Sequence, residues 1–231
     1  MTPRLVLFDI DGTILLTAGA GRRAITAALG ELVGDRSAFD RIRFDGKTDP
    51  EIVSELLAAA GDTGPHDPSR VYSICERYVA LLEQELATAT GTRLMPGFPG
   101  ILDRLEAETG VVLGLLTGNL ERGAALKLRA AGIDPGRFRV GAYGSDAARR
   151  TDLPTIAARR AEPFFGRAPA GAEVVIIGDT PADVTCGSAI GARAVAVATG
   201  AYSLAELAAC GAHAVFADFA DTDSALEAIL A

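Results

Sequence analysis

Residues 5–13 read Leu-Val-Leu-Phe-Asp-Ile-Asp-Gly-Thr, a short apolar run that stops at two aspartates and a glycine. A run of this length, apolar on both faces, is typical of a strand buried inside a parallel sheet. The carboxyl ends of such strands form the crevice where ligands bind. Asp9 and Asp11 project to the same side while the strand persists, so they can share a cation or divide nucleophile and acid roles. A turn whose aspartates cap backbone amides would read the same way.

The rest of the chain repeats the pattern of a short apolar run followed by a turn and an amphipathic, alanine-rich stretch. The further runs are Val111–Leu116, Val174–Ile177, Ala194–Val197 and a weaker one near Arg139–Tyr143. Helical patterns lie near 97–109, 120–131, 152–162, 181–190, 203–210 and 222–230. This alternation of strand and helix predicts an α/β fold with a doubly wound parallel sheet.

Residues 17–92 interrupt the alternation, because they show helical patterns and no convincing strand. One apolar stripe runs through 52–60 and another through 71–86. A single helix usually links two neighbouring parallel strands, and this block is far longer. We therefore expect an inserted helical subdomain, with the return to the core at Met95-Pro96-Gly97.

Two further strand ends carry polar side chains. Thr117, Gly118 and Asn119 follow the second apolar run directly, and they suit a cradle for an oxyanion or phosphate. Asp179 and Asp183 follow the third run, four residues apart. An ordinary helix start with capping side chains would explain either motif alone. Folding should bring the three strand ends together, and oxygen ligands without clustered His or Cys indicate Mg²⁺ rather than Zn²⁺.

These motifs, in this order, resemble those of the haloacid dehalogenase-like (HAD) hydrolases over essentially the whole chain. The motifs are Asp-x-Asp-Gly-Thr, a strand ending in Thr-Gly-Asn, and Gly-Asp-x-x-x-Asp. The resemblance is to the phosphoglycolate phosphatase-like branch. It implies a Rossmann-like core domain formed by residues 1–16 and 93–231. The inserted residues 17–92 would then be the family's helical cap, which closes over the site.

The resemblance also implies a role for each motif residue. Asp9 would be the nucleophile that forms an aspartyl-phosphate, and Asp11 would be the general acid and base. The Asp9 carboxylate, the Asp11 backbone carbonyl and Asp179 would hold Mg²⁺. The remaining roles would fall to Asp183, which supports the metal, and to the substrate-binding residues Thr117, Gly118 and Asn119.

The chain departs from the family at the third motif, where a lysine usually precedes a helix. Residues 145–156 contain no lysine. Arg150 has the best spacing before the helix to act as the catalytic cation, and Arg149 is its rival. The planar fork of an arginine is not equivalent to an ammonium group.

A further likeness to the family is the loop at residues 44–50, Phe-Asp-Gly-Lys-Thr-Asp-Pro. It looks like the substrate-specificity loop of capped phosphatases in this family, in which Lys47 would contact substrate. The same residues also read as a helix start, with Thr48 or Asp49 as the cap and Pro50 in the first turn.

Composition limits the partners. A net charge of −8 disfavours nucleic acid, whose phosphates attract Lys and Arg. The three cysteines have no metal-binding spacing and predict cytosolic thiols. No apolar segment is long enough to span a membrane or form a signal peptide. We expect a cytoplasmic protein that acts on a small phosphorylated metabolite and binds neither nucleic acid nor membrane; its oligomeric state is open.

The leading hypothesis is a Mg²⁺-dependent phosphatase acting on a small phosphate monoester. A phosphomutase of the same superfamily would return the phosphoryl group to a sugar hydroxyl. A phosphonate hydrolase would use a cap lysine as a Schiff base, and Lys47 is the candidate for that role. A non-enzymatic ligand-binding module on the same scaffold is the alternative from another class.

Overall fold

A computed structural model describes residues 3–33, 36–62 and 64–231. Met1 and Thr2 of the expected core, and Gly34, Asp35 and Thr63 of the expected cap, lie outside the described residues. The strands are β1 (Arg4–Phe8), β2 (Leu15–Leu16), β3 (Arg93–Leu94), β4 (Val111–Leu116), β5 (Val140–Ala142), β6 (Val174–Gly178), β7 (Arg193–Val197) and β8 (Ala214–Phe216). The α-helices are α1 (Ala20–Gly30), α2 (Asp49–Ala59), α3 (Pro68–Thr88), α4 (Phe98–Ala107), α5 (Glu121–Ala130), α6 (Leu153–Arg160), α7 (Glu162–Phe165), α8 (Pro181–Cys186), α9 (Leu204–Ala209) and α10 (Thr222–Leu230).

Six of the strands form one parallel sheet in the order β5-β4-β1-β6-β7-β8. Side chains of β1 alternate between two buried clusters, as a strand covered on both faces requires. Val6 and Phe8 pack with Phe98, whose ring lies 5.6 Å from that of Phe8. Leu5 and Leu7 belong to a different cluster, on the other side of the sheet. The predicted doubly wound α/β fold is confirmed.

Helices α1, α2 and α3, which follow β2, share a hydrophobic core of their own. Tyr78 and Leu82 of α3 are fully buried in it, and Leu120, just before α5, contributes from the sheet side. The chain enters and leaves this helical layer through β2 and β3, which pair in antiparallel fashion. Strands of two residues each leave no periodic pattern, so the sequence did not predict them. The division into core and cap remains a prediction.

Two predicted helices are shorter than the pattern suggested, for local reasons. The helix expected at 152–162 ends at Arg160, and the separate short helix α7 begins at Glu162 with Pro163 in its first turn, because a proline is tolerated there but breaks a helix from within. The helix expected at 181–190 ends at Cys186 and tightens into a 3₁₀ turn that stops at Gly191, where φ is +66°. A positive φ costs glycine little.

None of the helices formed by the described residues is both long and apolar enough to cross a membrane.

Candidate active site

The carboxyl ends of β4, β1 and β6 lie side by side in the sheet, and the loops after them open into one cavity of about 250 Å³. Nearly all the predicted site residues line it: Asp9, Asp11, Lys47, Thr117, Gly118, Asn119, Arg150 and Asp179. Asp183 lies in the first turn of α8, where its carboxylate accepts hydrogen bonds from Arg150 and Thr180. Helices α1 to α3 and the loop before α2 cover the cavity opposite the sheet.

Three buried carboxylates form a cluster at the floor of the cavity. One oxygen each from Asp9, Asp179 and Asp183 lies within 4.8 Å of the others. The hydroxyl of Thr13 donates to Asp179 Oδ1 at 3.1 Å. The backbone N–H and hydroxyl of Thr180 donate to Asp183 Oδ2 at 3.0 and 2.6 Å, so turn residues orient two of the three carboxylates.

The cluster carries more negative charge than its protein partners neutralise. Burial, together with the Asp183 charge, raises the pKa of Asp179 to about 9. Burial also raises the pKa of Asp9 to about 6, although Arg150 counteracts it. Gly12 and Gly200 let the Asp179 carboxylate pack against the backbone, since a Cβ at either position would overlap Asp179 Oδ2. Oxygen-only donors and a concentration of carboxylates that one arginine does not balance fit a hard divalent cation.

Arg150 supplies a buried cation to the cluster. Its Nη2 donates to Asp9 Oδ1 at 2.9 Å, to the Leu116 carbonyl at 3.2 Å and to Asp183 Oδ1. Burial alone would lower the pKa of Arg150, but the carboxylates of Asp183 and Asp9 raise it above its usual value. Arg149 points away, with a side chain that is 80% exposed and paired with Asp152. Between the two predicted candidates, only Arg150 reaches the cluster.

Asp11 belongs to a separate polar group. Its carboxylate accepts hydrogen bonds from Lys127 Nζ at 2.8 and 2.6 Å and from Asn119 Nδ2 at 2.8 Å. Lys127 also donates to Asn119 Oδ1 at 2.6 Å. The Asp11 carboxylate is therefore not one of the three that form the buried cluster.

Sequence reasoning missed Lys127, which is buried in the last turn of α5. A lysine there reads as an ordinary favourable cation at a helix C-terminus. One signal could have identified it: lysine occurs in the chain at positions 47 and 127 only. Both lysines line the cavity.

The loop before α2 contacts the turn after β4 through its backbone. The Asp49 N–H donates to the Gly118 carbonyl at 2.7 Å, and Asp49 Oδ2 accepts from the Leu120 N–H at 2.8 Å. Burial raises the pKa of Asp49 to about 6. Thr48 caps α2 by accepting from the Glu51 N–H, so the helix-start interpretation of these residues is correct.

Lys47 and Asn119, which the sequence analysis predicted to contact substrate, form hydrogen bonds with other side chains of the protein. Lys47 Nζ donates to Glu55 Oε2 at 2.5 Å, with a quarter of its side chain exposed. The Asn119 amide is held by Asp11, Lys127 and the Thr117 hydroxyl. Thr117 Oγ1 acts as an acceptor in its bonds from Asn119, which leaves its own proton for a bound ligand.

Comparison with known proteins bears out the resemblance. The family model described as haloacid dehalogenase-like hydrolase matches residues 6–188. A phosphoglycolate phosphatase of Rhodospirillum rubrum is 29% identical over 230 residues, covering 94% of this chain and 88% of that protein.

Solved structures share the fold. A hydrolase from Pseudomonas syringae has a TM-score of 0.75 at 21% identity, with 100% of each chain covered. CbbY from Rhodobacter sphaeroides, in complex with phosphate, has a TM-score of 0.72 at 20% identity, over 95% of this chain and 96% of that one. Identities this low support the fold and say nothing about the substrate.

Proposed function

Because the chain belongs to the haloacid dehalogenase-like hydrolase family, we propose that it is a magnesium-dependent phosphatase acting on a small phosphate monoester. The proposal rests on one observation: the buried carboxylate of Asp9 opens into a cavity with Arg150 and two further carboxylates beside it. Transfer of a phosphoryl group needs a positioned nucleophile and strong neutralisation of charge. This corner of the fold supplies both.

In the first step, a carboxylate oxygen of Asp9 forms a bond to phosphorus as the bond to the ester oxygen breaks. The electron pair of that bond goes to the leaving oxygen, which takes a proton from Asp11. In the second step, a water oxygen bonds to phosphorus and gives a proton to Asp11, and the Asp9 carboxylate is released. The balance is ester plus water giving alcohol plus phosphate, with Asp11 protonated again at the end.

The residues that would hold Mg²⁺ are Asp9, Asp179 and the backbone carbonyl of Asp11, with Asp183 in support. A bound Mg²⁺ would neutralise charge on the phosphoryl oxygens. The protein's own side chains would neutralise the rest of the negative charge. Arg150, fixed by Asp9 and Asp183, provides a permanent positive charge next to the reacting group.

Phosphoryl oxygens would be bound at the turn after β4. The Thr117 hydroxyl retains a proton to donate, and the backbone N–H of Gly118 lies at the cavity wall. Both lie in the turn that directly follows the buried strand β4. Such preorganised donors stabilise developing charge without reorganising.

The helical layer formed by α1 to α3 would act as the cap and select the substrate. The cavity beneath it is small, about 250 Å³. Its size, together with the similarity to the phosphoglycolate phosphatase of Rhodospirillum rubrum, favours a compact metabolite such as phosphoglycolate. Lys47 is the proposed contact for an anionic or hydroxyl group of the substrate. A Schiff-base role gains no support, because its ammonium is paired with Glu55.

The experiment is a panel of small phosphorylated metabolites, phosphoglycolate included, scored by kcat/KM from release of inorganic phosphate. We expect turnover with Mg²⁺ and its loss in EDTA. Asp9→Asn should abolish both turnover and the trapped aspartyl-phosphate while leaving the fold intact. Turnover that persists without metal, or in Asp9→Asn, would reject the mechanism.

A further inference from the structure

Lys127 is a buried lysine outside every motif in the sequence. Its side chain is 5% exposed. Its ammonium donates to Asp11 Oδ1, Asp11 Oδ2 and Asn119 Oδ1 at 2.8, 2.6 and 2.6 Å. An ammonium has three protons, so these contacts use its full donor capacity.

Asn119 holds the same carboxylate from another direction. Its Nδ2 donates to Asp11 Oδ2 and to Thr117 Oγ1, each at 2.8 Å. The Asp11 side chain nevertheless keeps 42% of its surface exposed. A carboxylate turns easily about its last bond, so the contacts from Lys127 and Asn119 decide which way its oxygens face.

Charge compensation alone does not account for this lysine. Water can solvate the half-exposed Asp11, whereas burial of an ammonium carries a large desolvation cost. Almost all of the 22 basic residues are arginine, so a lysine at this position departs from the composition of the rest of the chain. A compact ammonium can meet three converging acceptors, which the planar fork of arginine cannot do as well.

The helical layer also closes over the lysine. A Cβ built at Gly21 of α1 would lie 3.4 Å from Lys127 Nζ and 3.8 Å from the Tyr78 hydroxyl. The ammonium is therefore shielded from bulk water on the side that faces α1 and α3. Shielding strengthens its interaction with Asp11.

We propose that Lys127 is a positioning residue for proton transfer: with Asn119, it orients the Asp11 carboxylate toward the leaving oxygen of the substrate and then toward the attacking water. This inference rests on the proposed phosphatase function. It predicts a specific kinetic effect. Loss of Lys127 should matter most for esters whose leaving oxygen needs a proton.

Ethyl phosphate and 2,2,2-trifluoroethyl phosphate provide a matched pair, because they differ little in size and greatly in leaving-group acidity. Lys127→Met should lower kcat/KM for ethyl phosphate by about thirtyfold or more, and for the trifluoroethyl ester by less than about threefold. kcat for both esters should fall toward one common value, since hydrolysis of the shared aspartyl-phosphate also needs Asp11 as a base.

Lys47→Met is the control, because it makes the same substitution at the lysine that pairs with Glu55. It should change kcat/KM for both esters by the same factor. Asn119→Ala is the second variant and tests the inference alone if Lys127→Met does not fold. It should shift the ratio of the two esters in the same direction as Lys127→Met, by a smaller factor.

An equal loss on both esters in Lys127→Met and Asn119→Ala, with thermal unfolding showing a folded protein, would overturn the positioning role and leave the phosphatase function standing. If the unaltered protein hydrolyses the panel of phosphate monoesters but the ratio never moves, the inference fails alone. If the unaltered protein hydrolyses none of them with Mg²⁺, the proposed function fails and takes this inference with it.

Discussion

Arg149 and Arg150, which lie next to each other just before α6, have opposite environments: one side chain is exposed and the other is buried. The guanidinium of Arg150 lies between two buried carboxylates, Asp9 and Asp183, while Arg149 is solvated and pairs with Asp152. A fixed charge in a water-excluded site acts strongly on a transition state, whereas an exposed ion pair contributes little. The two residues therefore form a matched pair for experiment.

Arg150→Ala should lower kcat/KM by roughly a hundredfold or more, because the phosphoryl group loses its permanent cationic partner. Arg149→Ala should stay within about threefold of the unaltered protein. Arg150→Lys should recover much of the loss, since a point charge can occupy the same place. Steady-state kinetics decide this, with folding checked by circular dichroism. A crippled Arg149→Ala would show that the cation has been assigned to the wrong residue.

Asp49 predicts a pH dependence of stability. Burial raises its pKa from 3.8 in the unfolded chain to about 6, so folding favours the protonated form. The stability that this provides is complete below pH 3.8 and is lost as the pH rises through about 6. Asn keeps an acceptor for the Leu120 N–H and cannot ionise. Asp49→Asn should therefore gain free energy of unfolding relative to the unaltered protein between pH 4 and 7, by up to about 3 kcal/mol.

Urea unfolding of both proteins in EDTA measures this difference. Asp67→Asn is the control, because hydrogen bonds from Ser69 lower the pKa of that exposed helix cap. Its stabilising effect is present above the unfolded pKa and lost as the pH falls. Asp67→Asn should thus show the opposite trend. A pH-independent difference for Asp49→Asn would refute the assigned cost of burying its charge.

At the scale of elements, the turn after β4 and the loop before α2 are held in close contact. The Asp49 N–H donates to the Gly118 carbonyl at 2.7 Å. A Cβ at Gly118 would overlap the Lys47 carbonyl oxygen and lie 2.9 Å from Thr48 Cα. Only glycine permits this approach, which brings Lys47 to the cavity wall.

Gly118→Ala should therefore push the loop before α2 away from the catalytic turn. Alanine keeps the backbone N–H, so any loss reports the displacement. We expect kcat/KM to fall about tenfold to a hundredfold, since small misplacements at a reacting site are costly. Gly123→Ala on α5 is the control, because a Cβ there meets Leu82 at an ordinary 3.6 Å. It should keep activity and raise stability by about 0.5–1 kcal/mol; full activity in Gly118→Ala would contradict the close-contact argument.

Sequence patterns predicted the elements and site residues whose signal lies within a few neighbouring positions of the chain. Each buried strand reads as an apolar run. Asp9 and Thr117 follow such runs directly, and Asp179 follows one after a single glycine. Lys127 did not stand out, because its partner Asp11 is distant in the chain and only the packing of α5 against the sheet brings them together. The pair β2 and β3 was missed for a similar reason, since two-residue strands are set by their partners and carry no pattern of their own.

At the scale of the whole molecule, this acidic chain buries three carboxylates close together, where their mutual repulsion and desolvation are most costly. The net charge is −8, and Asp9, Asp179 and Asp183 share the floor of the cavity with Arg150. This cluster lies between the sheet and the helical layer. A cation bound there would stabilise the whole fold, because binding to the native state alone adds to the free energy of unfolding.

Mg²⁺ should therefore raise the melting temperature, by roughly 5–10 °C at a hundred times its dissociation constant. The effect should grow with pH. Burial raises the pKa of Asp179 from 3.8 to about 9, so without metal this carboxyl contributes stability at low pH that is lost as the pH rises through about 9. Mg²⁺ must displace the proton to bind, and the gain should accordingly be larger at pH 8.5 than at pH 6.

Differential scanning fluorimetry at constant ionic strength measures both trends. Asp179→Asn should abolish the response to Mg²⁺ and flatten the fall in metal-free stability with pH. Asp223→Asn is the control, since that carboxylate is 84% exposed and pairs with Arg104 on the surface, where removal of a charge should leave the response intact. Because this measurement needs no substrate, it separates metal binding from catalysis. An equal response to Mg²⁺ in both variants would place the bound cation elsewhere than at the buried cluster.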